Sequence, residues 1–420
     1  MHRQGLTSSV ANLLTDRTAI LAVTVFLNVS GFTIINPVVP LLVGSYVPES
    51  QLALTVGVIV SVYAACAFLA APLLGAFSDR YGRRPVLLLS LFGSAIGYVI
   101  FGIGGALWVL FAGRIIDGLT AGNLSAIYAS VADVTAPAER GRVYGLLGAA
   151  GGVGFMFGPV VGGLLGEISP TAPLFAAAVL SLLNMVWVQL ALGETLPVER
   201  RAKDLHWRKL NVVSQFSGIF SDPTLRIAFA TSFLFYFAAT MMQSNISVLL
   251  IEVLRFGSLG IGMTLFVVGI MDILAQGVLT RRLLPRFGEY RLARAGLMIN
   301  AVGFLLIGAI VWLPSVWLLI VAIVVFTLGD GLFMPAMNGI VANAAPDEMQ
   351  GRVQGAYQGQ QAIARIFGPL LAAALALNLG SGAPYWAGAL IGAFGVFILI
   401  AFHSSAESSN AMKTRQNKRS

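Results

Sequence analysis

The sequence predicts an all-α polytopic membrane protein with twelve transmembrane helices in two pseudo-symmetric six-helix bundles. The first observation is composition: of 420 residues, 57% are hydrophobic and 10% charged, and the mean hydropathy is +0.85. A soluble domain is far less apolar. The second is a series of twelve apolar stretches, and the third is a set of motifs that recur at half the chain length.

Each apolar stretch is long enough for a membrane-spanning helix, which needs about 20 apolar residues to cross roughly 30 Å of hydrocarbon. We number the stretches span 1 to span 12. They cover residues 18–42, 52–77, 86–105, 108–132, 143–166, 172–192, 224–250, 258–284, 291–313, 315–342, 353–378 and 384–402. The predicted domains are an N-terminal segment 1–17, a bundle 18–192, a linker 193–223, a bundle 224–402 and a tail 403–420.

The positive charges indicate membrane topology. A net charge of +8 would also suit a nucleic-acid ligand, but the basic residues gather in the termini and the even-numbered loops. The odd-numbered loops contain Arg255 alone. Because positive residues stay on the cytoplasmic side, we expect both termini to be cytoplasmic and the bilayer, not nucleic acid, to be the partner.

An internal repeat divides the chain into halves. Residues 136–143 after span 4 resemble residues 345–353 after span 10, and Phe-Gly-Pro at 157–159 recurs at 367–369, an offset of 210 residues. Arg80-Tyr81-Gly82 has a weaker counterpart at 286–288. Such a repeat predicts two bundles related by an axis along the membrane normal.

The loop from Gly75 to Pro85 contains an acid and three arginines around two glycines. It resembles the signature that joins helices 2 and 3 of the major facilitator superfamily. We expect Asp79 to face the start of the helix near Arg352, and Arg83 to reach Asp133 in span 4. A purely topogenic basic loop is the alternative. The predicted cytoplasmic gate comprises Gly75, Asp79, Arg80, Gly82, Arg83, Arg84 and Asp133.

Span 4 contains a charged pair, Arg114 and Asp117, on one helix face. A central arginine costs about 2.5 to 3.5 kcal/mol on insertion scales, so it should face a cavity or a partner. Its position resembles that of an arginine in the superfamily's antiporters, which implies a role in proton coupling. The alternative is a structural pair that neutralises itself.

Span 5 contains the pattern GxxxGPxxGG, which in the superfamily marks antiporters. Small residues allow close helix approach, and the proline kinks the helix. The pattern is formed by Gly154, Gly158, Pro159, Gly162 and Gly163.

The resemblance covers about residues 15 to 400 and is closest to the drug/proton antiporter branch that includes the bacterial tetracycline exporters. It implies alternating access without a cofactor, driven by a proton gradient, in a monomer of the bacterial inner membrane. Tetracycline exporters place acids in helices 1, 3 and 9, but Asn28, Gly97 and Asn300 stand at those positions here.

Other acids are therefore the proton-coupling candidates. Asp272 in span 8 is the first, because burial favours the protonated form and no fixed cation is near it in sequence. Asp330 in span 10 and Arg365 in span 11 could be an ion pair or a substrate anchor, and Asp117 is a reserve proton site. The alternative for Asp272 is a structural ion pair with a basic residue of another helix.

Neutral polar side chains in the spans suggest a cavity for an amphiphilic solute, although each one alone suits an interhelical hydrogen bond. The cavity candidates are Asn28, Asn36, Gln243, Asn245, Gln276, Asn300, Asn338, Tyr357, Gln358, Gln361 and Arg365.

These features predict a proton-coupled exporter of drug-like small molecules, not an enzyme, with no phosphate loop, metal-ligand spacing or nucleophile triad in the sequence. One alternative is a symporter or facilitator for a metabolite such as a sugar, a lipid head group or a siderophore. The other is a membrane receptor that has the same fold and transports nothing.

Overall fold

A computed structural model of the protein describes residues 17–136, 139–203, 220, 222–346 and 349–417. The predicted N-terminal segment 1–17 lies outside these residues except for Arg17, and so does most of the linker 193–223. The described elements are helices that follow the predicted spans in order.

Ten helices of the described residues are long and apolar enough to cross a membrane. They are spans 2, 3 and 5 to 12, and the predicted apolar stretches lie largely within them. Their bounds are Glu49–Tyr81, Arg83–Ile103, Arg140–Gly166, Ala172–Ala191, Pro223–Leu254, Ser258–Phe287, Glu289–Ala309, Val316–Ala344, Gln350–Leu379 and, for span 12, Ala383–Asn417. Span 12 thus continues beyond residue 402, where the sequence predicts its end.

Spans 1 and 4 are interrupted, whereas the sequence predicts continuous helices at 18–42 and 108–132. Span 1 consists of Arg17–Thr33 and Val39–Gly44. Pro37, in the interruption, has no N–H to donate to a preceding carbonyl, and Pro40 is the second residue of the second piece. Span 4 consists of Leu107–Leu119 and Asn123–Val134, separated by a turn that ends in glycine.

Span 8 changes its hydrogen-bond pattern in the middle. An α-helix at Ser258–Leu274 continues as a π-helical turn at Ala275–Thr280 and ends as an α-helix at Arg281–Phe287. Nothing in the residue types of this stretch predicts the π turn. Such turns are rare, and those that exist are often found at functional sites. The polar residues beside this turn are therefore candidates for the functional site.

The chain forms two compact units. The first unit contains the described residues up to 203 and the segment Leu250–Gly269. The second unit contains the described residues from 220 to 249 and those from Ile270 onward. The first half of span 8 belongs to the first unit because it packs on span 5, where the hydroxyl of Ser258 donates to the carbonyl of Gly163 at 3.0 Å. Glycine at 262 leaves room for the backbone of Pro159.

Each unit has its own apolar core and an apolar outer face. Leu21, Leu91 and Ile127 are fully buried in the first unit, as are Phe333 and Ala364 in the second. Outward-facing side chains are also large and apolar: Leu69, Leu190, Trp317, Phe394 and Phe397 are exposed. Solvent-exposed surfaces of this kind are unfavourable in water, whereas the hydrocarbon of a bilayer accommodates them.

The sequence repeat is also a repeat of hydrogen bonds. Arg140 at the start of span 5 donates to the carbonyls of Ala132 and Thr135, at 2.8 and 3.2 Å. Gln350, at the equivalent position of span 11, donates to the carbonyls of Ala342 and Ala345, both at 2.8 Å. All three positions are displaced by 210 residues, so the two halves form the same bonds with different donors.

The weaker sequence repeat has a matching backbone conformation. Gly82 between spans 2 and 3 has φ +107°, and Gly288 between spans 8 and 9 has φ +76°, with an extended ψ at both. Only glycine adopts this conformation without strain. Glycine at these two positions therefore follows from the tight turn that each half makes between two spans.

Candidate functional site

The predicted cytoplasmic gate is built around Arg83. Its guanidinium donates to Asp79 at 2.5 Å and to Asp133 of span 4 at 2.9 Å. The contact with Asp133 is the one that the sequence predicts. Because Arg83 is mostly buried while Asp79 is exposed, the bond to Asp133 is the better shielded of the two. The expected approach of Asp79 to the helix near Arg352 stays a prediction.

Glu194, which the sequence analysis missed, holds the same loop from the other side. Its carboxylate accepts hydrogen bonds from the backbone N–H groups of Arg83 and Arg84, at 2.9 and 3.3 Å, and from those of Thr195 and Leu196. A carboxylate at a helix N-terminus is stabilised by these donors and by the helix dipole. A Cβ at position 82 would overlap this carboxylate, so Gly82 also makes room for it.

The hydrogen bonds of Glu194 change its acidity. Partial burial alone would raise the pKa of this carboxyl, but the N–H groups of Leu196, Arg83, Thr195 and Arg84 outweigh it and lower the pKa below its usual value. The sequence did contain a signal. An acid directly after span 6 lies on the predicted cytoplasmic side, where the basic gate loop also lies.

A second missed carboxylate, Glu167, stands after span 5. It accepts hydrogen bonds from the Ser258 hydroxyl at 2.8 Å and the Leu259 N–H at 3.1 Å, at the start of span 8. These bonds, that of the Leu259 N–H first, lower the pKa of Glu167. Glu167 thus caps a helix that the sequence places almost a hundred residues away.

Arg114 and Asp117 form the predicted pair in span 4, with Arg114 Nη1 3.0 Å from Asp117 Oδ2 and both side chains buried. The Arg114 guanidinium lies over the ring of Tyr63, 4.3 Å from its centre, which is a cation–π contact. This arrangement leaves the pair electrically neutral and supports the structural alternative for it.

The span 5 glycines provide a close contact with span 1. A Cβ at Gly158 would overlap the Thr33 hydroxyl, and one at Gly154 would lie 2.8 Å from the carbonyl of Phe26. The Thr33 hydroxyl also donates to the carbonyl of Gly154 at 3.3 Å. Gly162 is equally enclosed, by the carbonyl of Ile34. The pattern therefore lets the two helices approach to backbone contact.

Asp272 and Asp330 each bind a neutral amide. Gln276, one turn after Asp272, donates to its Oδ1 at 3.1 Å, and Asn300 of span 9 donates to Oδ1 of Asp330 at 3.1 Å. Neither acid takes part in an ion pair in the described part of the chain. The possible pair of Asp330 with Arg365 is not formed in this structure.

Aromatic side chains of spans 7 and 11 lie close to each other. The rings of Tyr236 in span 7 and Tyr357 in span 11 are 6.1 Å apart. The sequence analysis named Tyr357 but missed Tyr236, for which an aromatic face on span 7 at 233, 236 and 237 is the signal.

The remaining predicted cavity residues differ in burial. Asn245 is buried, and Gln360, which was not predicted, is buried and donates to the Ser232 hydroxyl at 2.7 Å. The sequence predicts its neighbours Gln358 and Gln361 as cavity residues instead, because periodicity does not indicate which face of a membrane helix packs against protein. Asn28, Asn36 and Gln361 are half-buried, and Gln243, Gln276, Asn338, Gln358 and Arg365 are exposed.

Comparison with known proteins agrees with this architecture. The family model described as Major Facilitator Superfamily matches residues 21–299 and 259–419. The chain belongs to the major facilitator superfamily. This protein of the superfamily is 36% identical to the class C tetracycline resistance protein of Escherichia coli, over 84% of this chain and 87% of that protein. It is 33% identical to the class H protein of Pasteurella multocida, over 88% of this chain and 90% of the relative.

Among solved structures, the human organic anion transporter MFSD10 is similar, with a TM-score of 0.70 and 27% identity, covering 91% of this chain and 98% of that one. The chain is therefore an integral membrane protein of a transporter family, similar to tetracycline resistance proteins over most of its length.

Proposed function

We propose that this protein is a proton-coupled exporter of drug-like, amphiphilic small molecules that works by alternating access. The observation that carries the proposal is the pair of carboxylates, Asp272 and Asp330, inside spans 8 and 10 with amide partners but no ion pair in the described residues. An acid in an apolar span is costly when ionised and therefore binds a proton readily.

Coupling follows when proton and substrate compete for the same negative charge. The similarity to tetracycline resistance proteins supports outward movement of an organic compound. The missing acids at Asn28 and Asn300 argue that the proton site has moved, since Asn300 now donates to Asp330. We place the protein in the bacterial inner membrane, with both termini cytoplasmic, working as a monomer with small-molecule substrates and protons.

The test is transport in inverted membrane vesicles with an imposed pH gradient, acidic inside. Tetracycline uptake should follow the gradient, stop on addition of a protonophore and be lost in Asp272→Asn. The matched control is Glu199→Gln, which removes an exposed carboxylate outside the spans and should transport normally. Uptake that ignores the protonophore would refute proton coupling.

An organic anion is the second candidate substrate. Its support is the similarity to the human organic anion transporter, together with Arg365, an exposed cation in span 11 outside the ion pairs of the described residues. If this candidate is correct, fluorescein uptake in the same vesicles should be lost in Arg365→Gln while tetracycline uptake is absent from the outset.

A further inference from the structure

A groove opens on the surface of the second unit, where the start of span 7 meets the end of span 12. Its volume is about 510 Å³, within the range of roughly 300 to 1,000 Å³ that is usual for small-molecule sites. Seven residues line the groove, and six of them are apolar, with Phe394 and Phe397 of span 12 the largest. The seventh is Arg226, in the first turn of span 7.

The groove lies at the level where the two spans leave the hydrocarbon. The predicted spans 7 and 12 begin at residue 224 and end at residue 402, next to the groove residues Pro223 and Ala401. Phe394 precedes Ala401 by two helical turns, which places it about 10 Å deeper. The groove therefore runs from the membrane surface into the hydrocarbon, with its charged residue at the surface end.

The side chains of the groove are open to the surroundings of the protein. Phe394 and Phe397 are 56% and 66% exposed, and Arg226 is exposed as well. Arg226 takes part in no ion pair in the described part of the chain. A guanidinium stays charged at the edge of the hydrocarbon, so an anion that reaches it from the same membrane surface stabilises it.

The seam between spans 1 and 6, in the first half, is closed by protein. Asn184 and Trp187 of span 6 donate from their side chains to backbone carbonyls of span 1, at 3.1 and 3.4 Å. In span 12, Phe394 and Phe397 stand 210 residues after these two, the offset of the sequence repeat. A phenyl ring has no N–H to donate. The second half thus has an open groove where the first half has hydrogen bonds.

We propose that this groove binds one anionic phospholipid, whose phosphodiester pairs with Arg226 and one of whose acyl chains lies along Phe397 and Phe394. A guanidinium binds two phosphate oxygens through parallel N–H groups. Basic pockets between spans at a membrane surface are typical sites for anionic lipid head groups. A zwitterionic head group is disfavoured because it brings a second cation next to Arg226.

The acid that precedes the groove is Asp222. Its Oδ1 accepts the N–H of Leu225 at 2.9 Å and thereby caps the start of span 7. The charge of this carboxylate opposes a bound anion, whereas asparagine also caps a helix and is neutral. Asp222→Asn should therefore bind an anionic lipid more tightly than the unaltered protein does.

The first experiment titrates the purified full-length protein with lipid and counts bound molecules by native mass spectrometry. The probes are dioleoyl phosphatidylglycerol and dioleoyl phosphatidylcholine, which have the same acyl chains. We expect one tightly bound phosphatidylglycerol. Arg226→Gln should weaken it about fivefold, the effect of one basic residue at a membrane surface, and should leave phosphatidylcholine unchanged. The matched control is Arg142→Gln, which removes an exposed cation at the start of span 5 and should keep this affinity.

A photo-crosslink locates the bound lipid. Benzoylphenylalanine in place of Phe397 should crosslink to phosphatidylglycerol, and Arg226→Gln should reduce the yield. The same group in place of Leu190, which is 82% exposed at the end of span 6, reports lipid that surrounds the protein without a specific site. Its yield should not change in Arg226→Gln. Elution as a single species on gel filtration identifies the variants that have folded.

Three results would overturn the inference. Equal losses in Arg226→Gln and Arg142→Gln would show a general attraction between basic residues and anionic lipid. A crosslink at position 397 that does not depend on Arg226 would show an acyl chain bound without recognition of its head group. Displacement of the lipid by excess inorganic phosphate would identify a site for the free ion. The vesicle assay tests the proposed function separately, and neither outcome depends on the other.

Discussion

At the scale of the residue, Glu194 contributes to stability through four backbone N–H groups near the start of span 3 and the end of span 6. Its folded-state pKa is lowered, so the unfolded chain takes up the proton first as the pH falls. The contribution of Glu194 is complete above the ordinary glutamate pKa of about 4.3. It is lost as the pH falls through the lowered value.

Glu194→Gln should therefore lower the free energy of unfolding by about 1 kcal/mol at pH 7, the size of a helix-capping interaction near the surface. Thermal melts of the detergent-solubilised protein, with and without the substitution, measure this difference. The gap between the two curves should close as the pH falls below about 4. A gap that stays constant with pH would show that Glu194 acts through something other than its charge.

Arg114 and Asp117 allow a test between structure and function. Because both side chains are buried, Asp117→Asn leaves an uncompensated guanidinium and should destabilise the protein by about 3 kcal/mol. The double variant Arg114→Met with Asp117→Leu removes both charges and should recover most of that loss, as measured by thermal melts.

Transport by the same double variant then decides the role of the pair. A stable double variant that still moves tetracycline along the pH gradient would establish a structural pair. A stable but inactive one would place Arg114 or Asp117 in the coupling machinery.

At the scale of the element, spans 1 and 5 approach through the glycines of span 5, and this contact can be tested with one methyl group. Gly158→Ala should destabilise the protein by about 1 to 3 kcal/mol, because the added Cβ overlaps the Thr33 hydroxyl and has no space to move into. Gly148→Ala on the same helix meets nothing within 4 Å and should be neutral or slightly stabilising. Thermal melts of the two variants measure the contrast. Equal effects would mean that helix propensity, not packing, controls position 158.

The sequence predicts the number and order of the spans because twenty apolar residues in a row have one stable arrangement in a bilayer. It does not predict the breaks in spans 1 and 4 or the π turn in span 8. Hydropathy is insensitive to hydrogen-bond pattern, and Pro37 and Gly122 are compatible with a kinked but continuous helix. At the span 8 turn, a contact with another span accompanies the irregularity: the hydroxyl of Thr280 donates to the carbonyl of Gly331 in span 10.

For the site, the sequence identifies groups that are close along the chain or belong to a familiar motif. Arg83 with Asp133 and Arg114 with Asp117 are examples. It misses Glu194, because two of its four backbone N–H partners, those of Arg83 and Arg84, are more than a hundred residues away. It also leaves the partner of Asp330 undecided, because sequence alone does not place Asn300 beside it.

At the scale of the whole molecule, the two halves repeat their contacts while their charges differ. The hydroxyl of Thr33 donates to the carbonyl of Gly154 in one half, and that of Thr240 donates to the carbonyl of Ala364 in the other. Arg83 binds Asp133 in the first half, but the amide of Asn343 donates to Glu289 in the second, at 3.0 Å. This contact is therefore an ion pair in the first half and an amide–carboxylate hydrogen bond in the second.

The repeat predicts which substitutions the fold accepts. Arg140→Gln should retain thermal stability, because Gln350 already forms the equivalent bonds to two carbonyls. Arg140→Ala loses both bonds and should cost about 1 to 2 kcal/mol. Arg142→Ala, an exposed residue of the same helical turn, provides the reference. Equal melting temperatures for the glutamine and alanine variants would show that these bonds add nothing measurable.

The exchange of arginine for glutamine between positions 140 and 350 also bears on how such a chain acquires its orientation. A carbonyl oxygen accepts from an amide as well as from a guanidinium, so the hydrogen bonds at the start of the span form without the positive charge. During biosynthesis the first half of a membrane protein emerges first, and positive residues in the short loops near its first spans usually set the orientation of the chain. With the predicted topology, the second half would take its orientation from the spans before it, so glutamine at position 350 would serve where the first half has an arginine.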